Sequence, residues 1–295
     1  MSSVEATFPA RTTPLPRRLV ALASAHWMAT AGALLIGAIV LAAIFAPLVT
    51  PYPADGSVAT HPTQALQAPS GAHWFGTDHV GRDVLTRVIY GARTSLLIVV
   101  AVLAAAGVVG TTLGIVAGYA GGWVRDVIMR VADVFLAFPA LLLAVTLAAV
   151  LRPSLRTLII AIAVTWWPWY CRLAASMAAT IRSREYVAAG RCLGVGDVKL
   201  VFRHVLPNSL TPVLVQLSLD AGGVILTAAA LSYLSLGVQE PTAEWGLMIQ
   251  QNQTVFTTDW WAVVFPGLAI VLTTFGFNML GEGLRARLDP RRMPW

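Results

Sequence analysis

The sequence predicts an all-α, polytopic membrane protein with six transmembrane helices, and three observations carry that expectation. Of 295 residues, 57% are hydrophobic and only 12% are charged, about half the charged share of a soluble domain. The mean hydropathy is +0.72. Several uncharged runs are each long enough to cross a bilayer, which takes about 20 apolar residues.

Charged residues bound the spans. The run between Arg18 and Asp55 is most apolar over 28–49, the first expected span, leaving residues 1–27 as an N-terminal tail. Residues 1–16 are rich in Pro and Thr and are expected to be disordered. Arg93 and Arg125 enclose the second span, 95–119, and Asp133 and Arg152 the third, 134–151. The fourth, 157–180, holds Arg172 close enough to one end to snorkel to the headgroups. The fifth covers 210–237, with Asp220 inside it, and the sixth 260–281. This leaves a loop at 50–94, a core at 95–282 and a C-terminal tail at 283–295.

Orientation follows from the basic residues, because positive charge is retained in the cytosol. With both termini inside, only Arg82, Arg87, Arg93, Arg152 and Arg156 of the 20 Lys and Arg fall outside. Trp245, Trp260 and Trp261 then lie at the outer interface, where amphipathic rings are favoured. The first span exceeds the apolar core of about 7–15 residues found in signal peptides, so Arg17-Arg18 reads as an inside anchor.

Composition also excludes. Lys199 is the only lysine and follows Val198, so the Gly-Lys pair of a nucleotide-binding P-loop cannot be formed. The arginines flank apolar segments and form no continuous stripe, which argues against nucleic acid. The five histidines show no metal-ligand spacing, and no metal is expected. Cys171 and Cys192 fall on the cytosolic side, where thiols stay reduced. No His-Glu-x-x-His or Gly-x-Ser-x-Gly motif stands inside the spans, which argues against an intramembrane enzyme.

Two amphipathic inserts carry the most information. Residues 182–207 read RSREYVAAGRCLGVGDVKLVFRHVLP. Gly194 and Gly196 permit the left-handed backbone that ends a helix, and Asp197 is placed to cap the next. Val198, Val201, Phe202 and Val205 share one helical face, and Pro207 stops or kinks the helix before span five. Two short helices joined at a glycine bend are predicted, lying on lipid headgroups or docked into a cytosolic partner. On the outer side, the run FGTDHVGRDVLTRVIYGARTSL from Phe75 comes after a Pro-rich stretch. Thr77 and Asp78 are cap-type residues, Asp83 and Arg87 make an i,i+4 pair, and an interfacial helix leading into span two is expected.

At these inserts the sequence resembles the C-type permease subunits of dipeptide and oligopeptide ABC importers. The cytosolic hallmark of that family aligns with Ala188-Ala189-Gly190, Gly194 and His204-Val205-Leu206-Pro207, followed by Asn208. Residues 76–93 resemble its GTDxxGRDVLSRxxxGAR segment. Met129-Arg130 with Asp133, Ala137, Phe138 and Pro139 resembles its third-span pattern, and LSYLSLGVQEPTAEWG, residues 231–246, a further block. The resemblance implies the type I ABC importer permease fold, with six transmembrane helices, in a bacterial plasma (inner) membrane.

It also implies a subunit rather than a whole machine. The expected partners are a second homologous permease, two cytosolic ATPases that bind ATP and Mg, an extracytoplasmic substrate-binding protein and membrane lipid. This chain would hold no cofactor and catalyse nothing. ATPase coupling would fall to Arg184, Glu185, Ala188, Ala189, Gly190, Gly194, Asp197, Phe202, Leu206 and Pro207. Residues facing the binding protein would be Gly76, Thr77, Asp78, Gly81, Arg82, Asp83, Gln239, Pro241 and Trp245.

The chain departs from the family pattern at Ala188, where the hallmark is acidic, and at Ala228, where Glu is frequent. A carboxylate stands instead at Asp220. An ionisable group within a span is a functional hypothesis by default, and Asp220 either pairs with Arg172 or Arg203 near the inner headgroups or lines the pathway. Other cargoes, such as nickel or an opine-like compound, share these blocks. A secondary transporter would show paired broken spans in both halves of a repeat, and no repeat is evident.

Overall fold

A computed structural model describes residues 15–288, with side chains from 27 to 286. The tail expected over residues 1–14, with its disorder, and residues 289–295 lie outside the described residues. Five described helices are long and apolar enough to cross a membrane, or six where a pair bent by 84° counts as one span. No strand occurs among the described residues, only an isolated bridge between Thr77 and Asp83.

Helix α1 (Leu15–Ile44) starts well before residue 28, so residues 15–27, expected as tail, are helical. A single turn, α2 (Ala46–Val49), comes next. Helix α3 (Val84–Ala120) has 37 residues, about 55 Å at 1.5 Å per residue, against a hydrocarbon core of about 30 Å. It therefore projects beyond the bilayer. The separate interfacial helix expected ahead of span two is the first part of α3, because nothing between Val84 and Ser95 interrupts its backbone hydrogen bonding. Its cap is Asp83, whose side chain accepts from the Thr86 amide, and not Thr77 or Asp78.

The third span is broken. Helix α4 (Gly122–Leu136) and α5 (Ala140–Val150) meet at 84°, where one straight helix over 134–151 was expected. Pro139 lacks the N–H that would continue the ladder, and with 11 residues α5 is too short to cross alone. Helix α6 (Leu155–Arg182) and α9 (Leu206–Tyr233) close the central bundle, and α11 (Trp261–Leu288) returns beside α1.

Helices α3 and α6 are held at close approach by small residues. A Cβ on Gly110, Gly114 or Gly118 would fall 2.4, 2.3 or 2.3 Å from the carbonyl oxygens of Trp167, Cys171 and Ala175. The i, i+4, i+8 spacing places all three on one face, which is how membrane helices pack without a hydrophobic drive between them. Side chains pointing away, among them Val100 and Val108 on α3 and Val271 and Phe275 on α11, are exposed and apolar. A helix apolar all round is what a lipid environment requires.

Candidate functional site

The inner insert is two helices at a glycine bend, as its sequence predicts. Helix α7 (Glu185–Cys192) ends where the Gly194 amide donates to Arg191 O (2.9 Å) and the Val195 amide to Gly190 O (3.0 Å). That pair of bonds is the Schellman closure, and Gly194 holds the positive φ of 78° it requires. Helix α8 (Asp197–Leu200) then runs through a π-helical turn, Val201–Val205, directly into α9. Pro207 thus neither stops the helix nor separates insert from span. The Leu206 amide reaches back to Val201 O, and the Asn208 side chain donates to His204 O at 2.6 Å.

The π turn changes which residues face inward. Val187, Leu200 and Val205 are fully buried beneath the insert, while Leu193, Val198 and Phe202 are 83%, 72% and 66% exposed. The single apolar face expected for Val198, Val201, Phe202 and Val205 is therefore split, because one extra residue in a turn rotates every later side chain about the helix axis. Among the expected coupling residues, Arg184, Glu185, Ala188, Ala189, Gly194, Asp197, Phe202 and Pro207 are exposed, and Gly190 and Leu206 are half-buried. A Cβ on Gly190 would meet Leu200 Cδ2 at 3.0 Å, so this position lets α7 lie against α8.

Asp197 does not cap α8. It accepts the Tyr119 hydroxyl at 2.5 Å and pairs with Arg191 at 3.5 Å, and the Arg191 guanidinium lies 5.1 Å from the Tyr119 ring. The inner end of α3 is thereby tied to the insert through residues far apart in sequence. Cys171 is buried in α6, Cys192 is exposed on α7, and both are free thiols.

At the opposite end, the expected docking residues of the outer block are packed within the chain. Gly76, Thr77, Asp78, Gly81, Arg82 and Asp83 are all buried. Asp78 accepts the Val80 and Arg82 amides and pairs with Arg82 Nε at 2.7 Å. Thr77 donates to Gln64 O, and Asp83 faces His73 at 3.0 Å. The expected Asp83–Arg87 side-chain pair is absent, since the Arg87 guanidinium donates to Asp55 O at 3.4 Å and has Asp78 as its carboxylate neighbour at 3.8 Å. Asp78 and Arg82 pair within the block and Asp83 pairs with His73 just before it, which is what allows their burial. Arg82 also reaches Glu240 at 3.3 Å, joining this loop to the segment before α10 (Trp245–Asn252). Gln239 and Pro241 remain exposed. Trp245, expected at the interface, is 2% exposed and donates to Val88 O at 2.9 Å, and Trp261 is buried as well.

Glu244, not singled out from sequence, caps α10 by accepting the Gly246 and Leu247 amides at 3.0 and 2.8 Å. Burial pushes its carboxyl above the ordinary carboxylate range, opposed by those two amides. Glu244→Ala leaves both amides buried without a partner, a loss of about 1–3 kcal/mol. The unfolding midpoint in detergent should fall by roughly 5 °C, and an unchanged midpoint would remove Glu244 from the structural core.

Midway along the bundle, a cavity of about 670 Å³ is lined by Trp166, Trp169, Arg172, Gln216 and Asp220, with Ala140 and Leu173. Asp220 pairs with neither Arg172 nor Arg203. Its carboxylate accepts the Tyr170 hydroxyl and the Gln216 amide, each at 2.9 Å, while Arg172 is engaged with Asp133 of α4.

A family model described as the binding-protein-dependent transport system inner membrane component matches residues 110–294, and one for the N-terminal transmembrane domain of oligopeptide transport permease C matches residues 24–69. The dipeptide transport system permease protein of Alkalihalophilus pseudofirmus is 44% identical over 90% of this chain and 86% of its own length. The probable D,D-dipeptide transport system permease protein of Escherichia coli is 41% identical over 93% and 91%. The di/tripeptide transport system permease protein of Pseudomonas aeruginosa is 40% identical over 99% and 97%. With up to six spans, a two-helix insert and these matches over most of its length, the chain belongs to the family of binding-protein-dependent transport system inner membrane components.

Proposed function

We propose that this chain is the transmembrane permease subunit of an ATP-driven importer that moves di- to oligopeptides across the plasma membrane by alternating access. The observation that carries the reading is the insert. It displays Leu193, Val198 and Phe202 to solvent, is continuous with α9 and is bonded to α3 through Tyr119. An ATPase gripping those side chains would move two spans at once.

The partners in this reading are two cytosolic ATPases at the insert, a second homologous permease, and an extracytoplasmic binding protein at the opposite end. ATP and Mg belong to the ATPases, and this chain carries out no covalent step. The basic residues Arg182, Arg184, Arg191, Lys199 and Arg203 support a cytosolic insert, since positive charge is retained there, and in this reading both termini lie on the same side. Of the outer residues, exposed Gln239 and Pro241 are left to meet a binding protein, with the buried Asp78–Arg82 pair reaching the exposed Glu240 to hold their segment in place.

Gly194 tests the bend. No atom lies within 4 Å of a Cβ built there, so Gly194→Val strains only the backbone, a positive φ being a genuine outlier for a β-branched residue. Uptake and peptide-stimulated ATP hydrolysis should both be lost while membrane insertion, read by protease protection, is unchanged. Normal stimulated hydrolysis in that variant would refute the coupling role. The whole reading is tested by reconstituting the assembled complex in liposomes and following radiolabelled dipeptide. Accumulation that needs both ATP and the binding protein is expected, and accumulation without ATP would exclude an ATP-driven importer.

A further inference from the structure

The cavity beside Asp220 has a chemistry that the coupling and docking surfaces do not use, and its interpretation rests on the peptide-importer reading. Its volume of about 670 Å³ falls in the range of about 300–1,000 Å³ typical of small-ligand sites. Two indoles, Trp166 and Trp169, form its walls, and Trp169 is 57% exposed. The carboxylate of Asp220 is oriented from both sides, Tyr170 donating to Oδ2 and Gln216 to Oδ1. Each carboxylate oxygen can accept two hydrogen bonds, so each retains one free acceptor position.

Among the described residues no basic side chain pairs with Asp220. The nearest candidate on the cavity wall, Arg172, is paired with Asp133, and both of those side chains are about half exposed. A carboxylate that is fixed in place, partly removed from water and without a counter-ion favours a cation. Indole faces beside it strengthen that preference. Arg172, also on the cavity lining, holds its guanidinium in a half-exposed pair with Asp133 and is suited to a carboxylate.

We infer that this cavity is a transit site for a zwitterionic peptide, in which Asp220 takes the cargo's α-ammonium group, Trp166 and Trp169 flank it, and Arg172 exchanges Asp133 for the cargo's carboxylate. Tyr170 and Gln216 are positioning residues that hold the Asp220 carboxylate toward the cavity. The site reads the two charges every short peptide carries and leaves the side chains unread.

The test uses the whole complex with its binding protein and a dipeptide of photo-leucine followed by alanine, irradiated after trapping with vanadate. The amino-terminal diazirine should label residues 166–173 and 216–220. Asp220→Asn should lower that labelling about tenfold, the change expected for loss of one charge-assisted contact, and Asp220→Glu should restore at least half of it. Both variants should co-purify with the same subunits in the same proportions as wild type, which shows an intact assembly. Labelling that is undiminished in Asp220→Asn, or that falls elsewhere in a complex that transports the dipeptide, would overturn the transit site alone. A wild-type complex that neither binds nor transports the dipeptide would instead overturn the peptide reading beneath it.

Discussion

Gly114→Leu should abolish the folded protein. Even a Cβ at this position would sit 2.3 Å from Cys171 O and 2.7 Å from Ala174 Cβ, and a backbone carbonyl cannot rotate away as a side chain can. Overpacking where neighbours yield costs about 1–3 kcal/mol, and here the α3–α6 seam itself would have to open. The monodisperse fraction after detergent extraction should drop at least about tenfold, a large share of a marginal stability of about 5–15 kcal/mol. Gly114→Ala should show a smaller loss. Gly37→Ala, where no atom lies within 4 Å of the new Cβ, should be neutral or slightly stabilising. A leucine variant that accumulates like wild type would show that α3 and α6 are not packed at this register.

Phe202→Asp should separate folding from coupling. The ring is 66% exposed, so a polar replacement removes little packing within the chain. In the complex the same ring is expected to fill a pocket on an ATPase, and loss of a buried aromatic anchor costs on the order of 2 kcal/mol or more, about thirtyfold in affinity. Peptide-stimulated ATP hydrolysis and uptake should fall accordingly, with unchanged thermal stability of the isolated chain, and Phe202→Leu should retain most of both. A variant that unfolds, or that couples normally, would place Phe202 outside the ATPase contact.

The parts of the fold legible in the sequence were those set by local chemistry. The bend at Gly194 was readable because a positive φ at a helix end nearly specifies glycine. The six apolar runs were readable from length alone. What escaped depended on partners distant along the chain. Only the family resemblance implies a docking surface in the outer block, and there Asp78, Arg82 and Asp83 find partners within the chain and are buried. For Asp220 the sequence leaves open pairing with Arg172 or Arg203 or a place on the pathway, and its partners are a tyrosine on α6 and the glutamine one turn before it. The π turn between α8 and α9 was also hidden, since a period of 3.6 residues assumes a regular helix, and it moved Val205 inward while leaving Phe202 outside. The spacing of Gly110, Gly114 and Gly118 was visible, but not that α6 is the helix they receive.

In the proposed function this chain is one subunit of a larger machine, gripped at residues 184–207. The most direct measurement is purification of the tagged chain in mild detergent, with mass spectrometry of all that accompanies it and ATP hydrolysis assayed on the same sample. Two P-loop ATPases and a second permease should co-purify with nucleotide hydrolysis, and Phe202→Asp should release the ATPases while keeping the permease. A chain that purifies alone and still carries solute into liposomes without ATP would contradict the account.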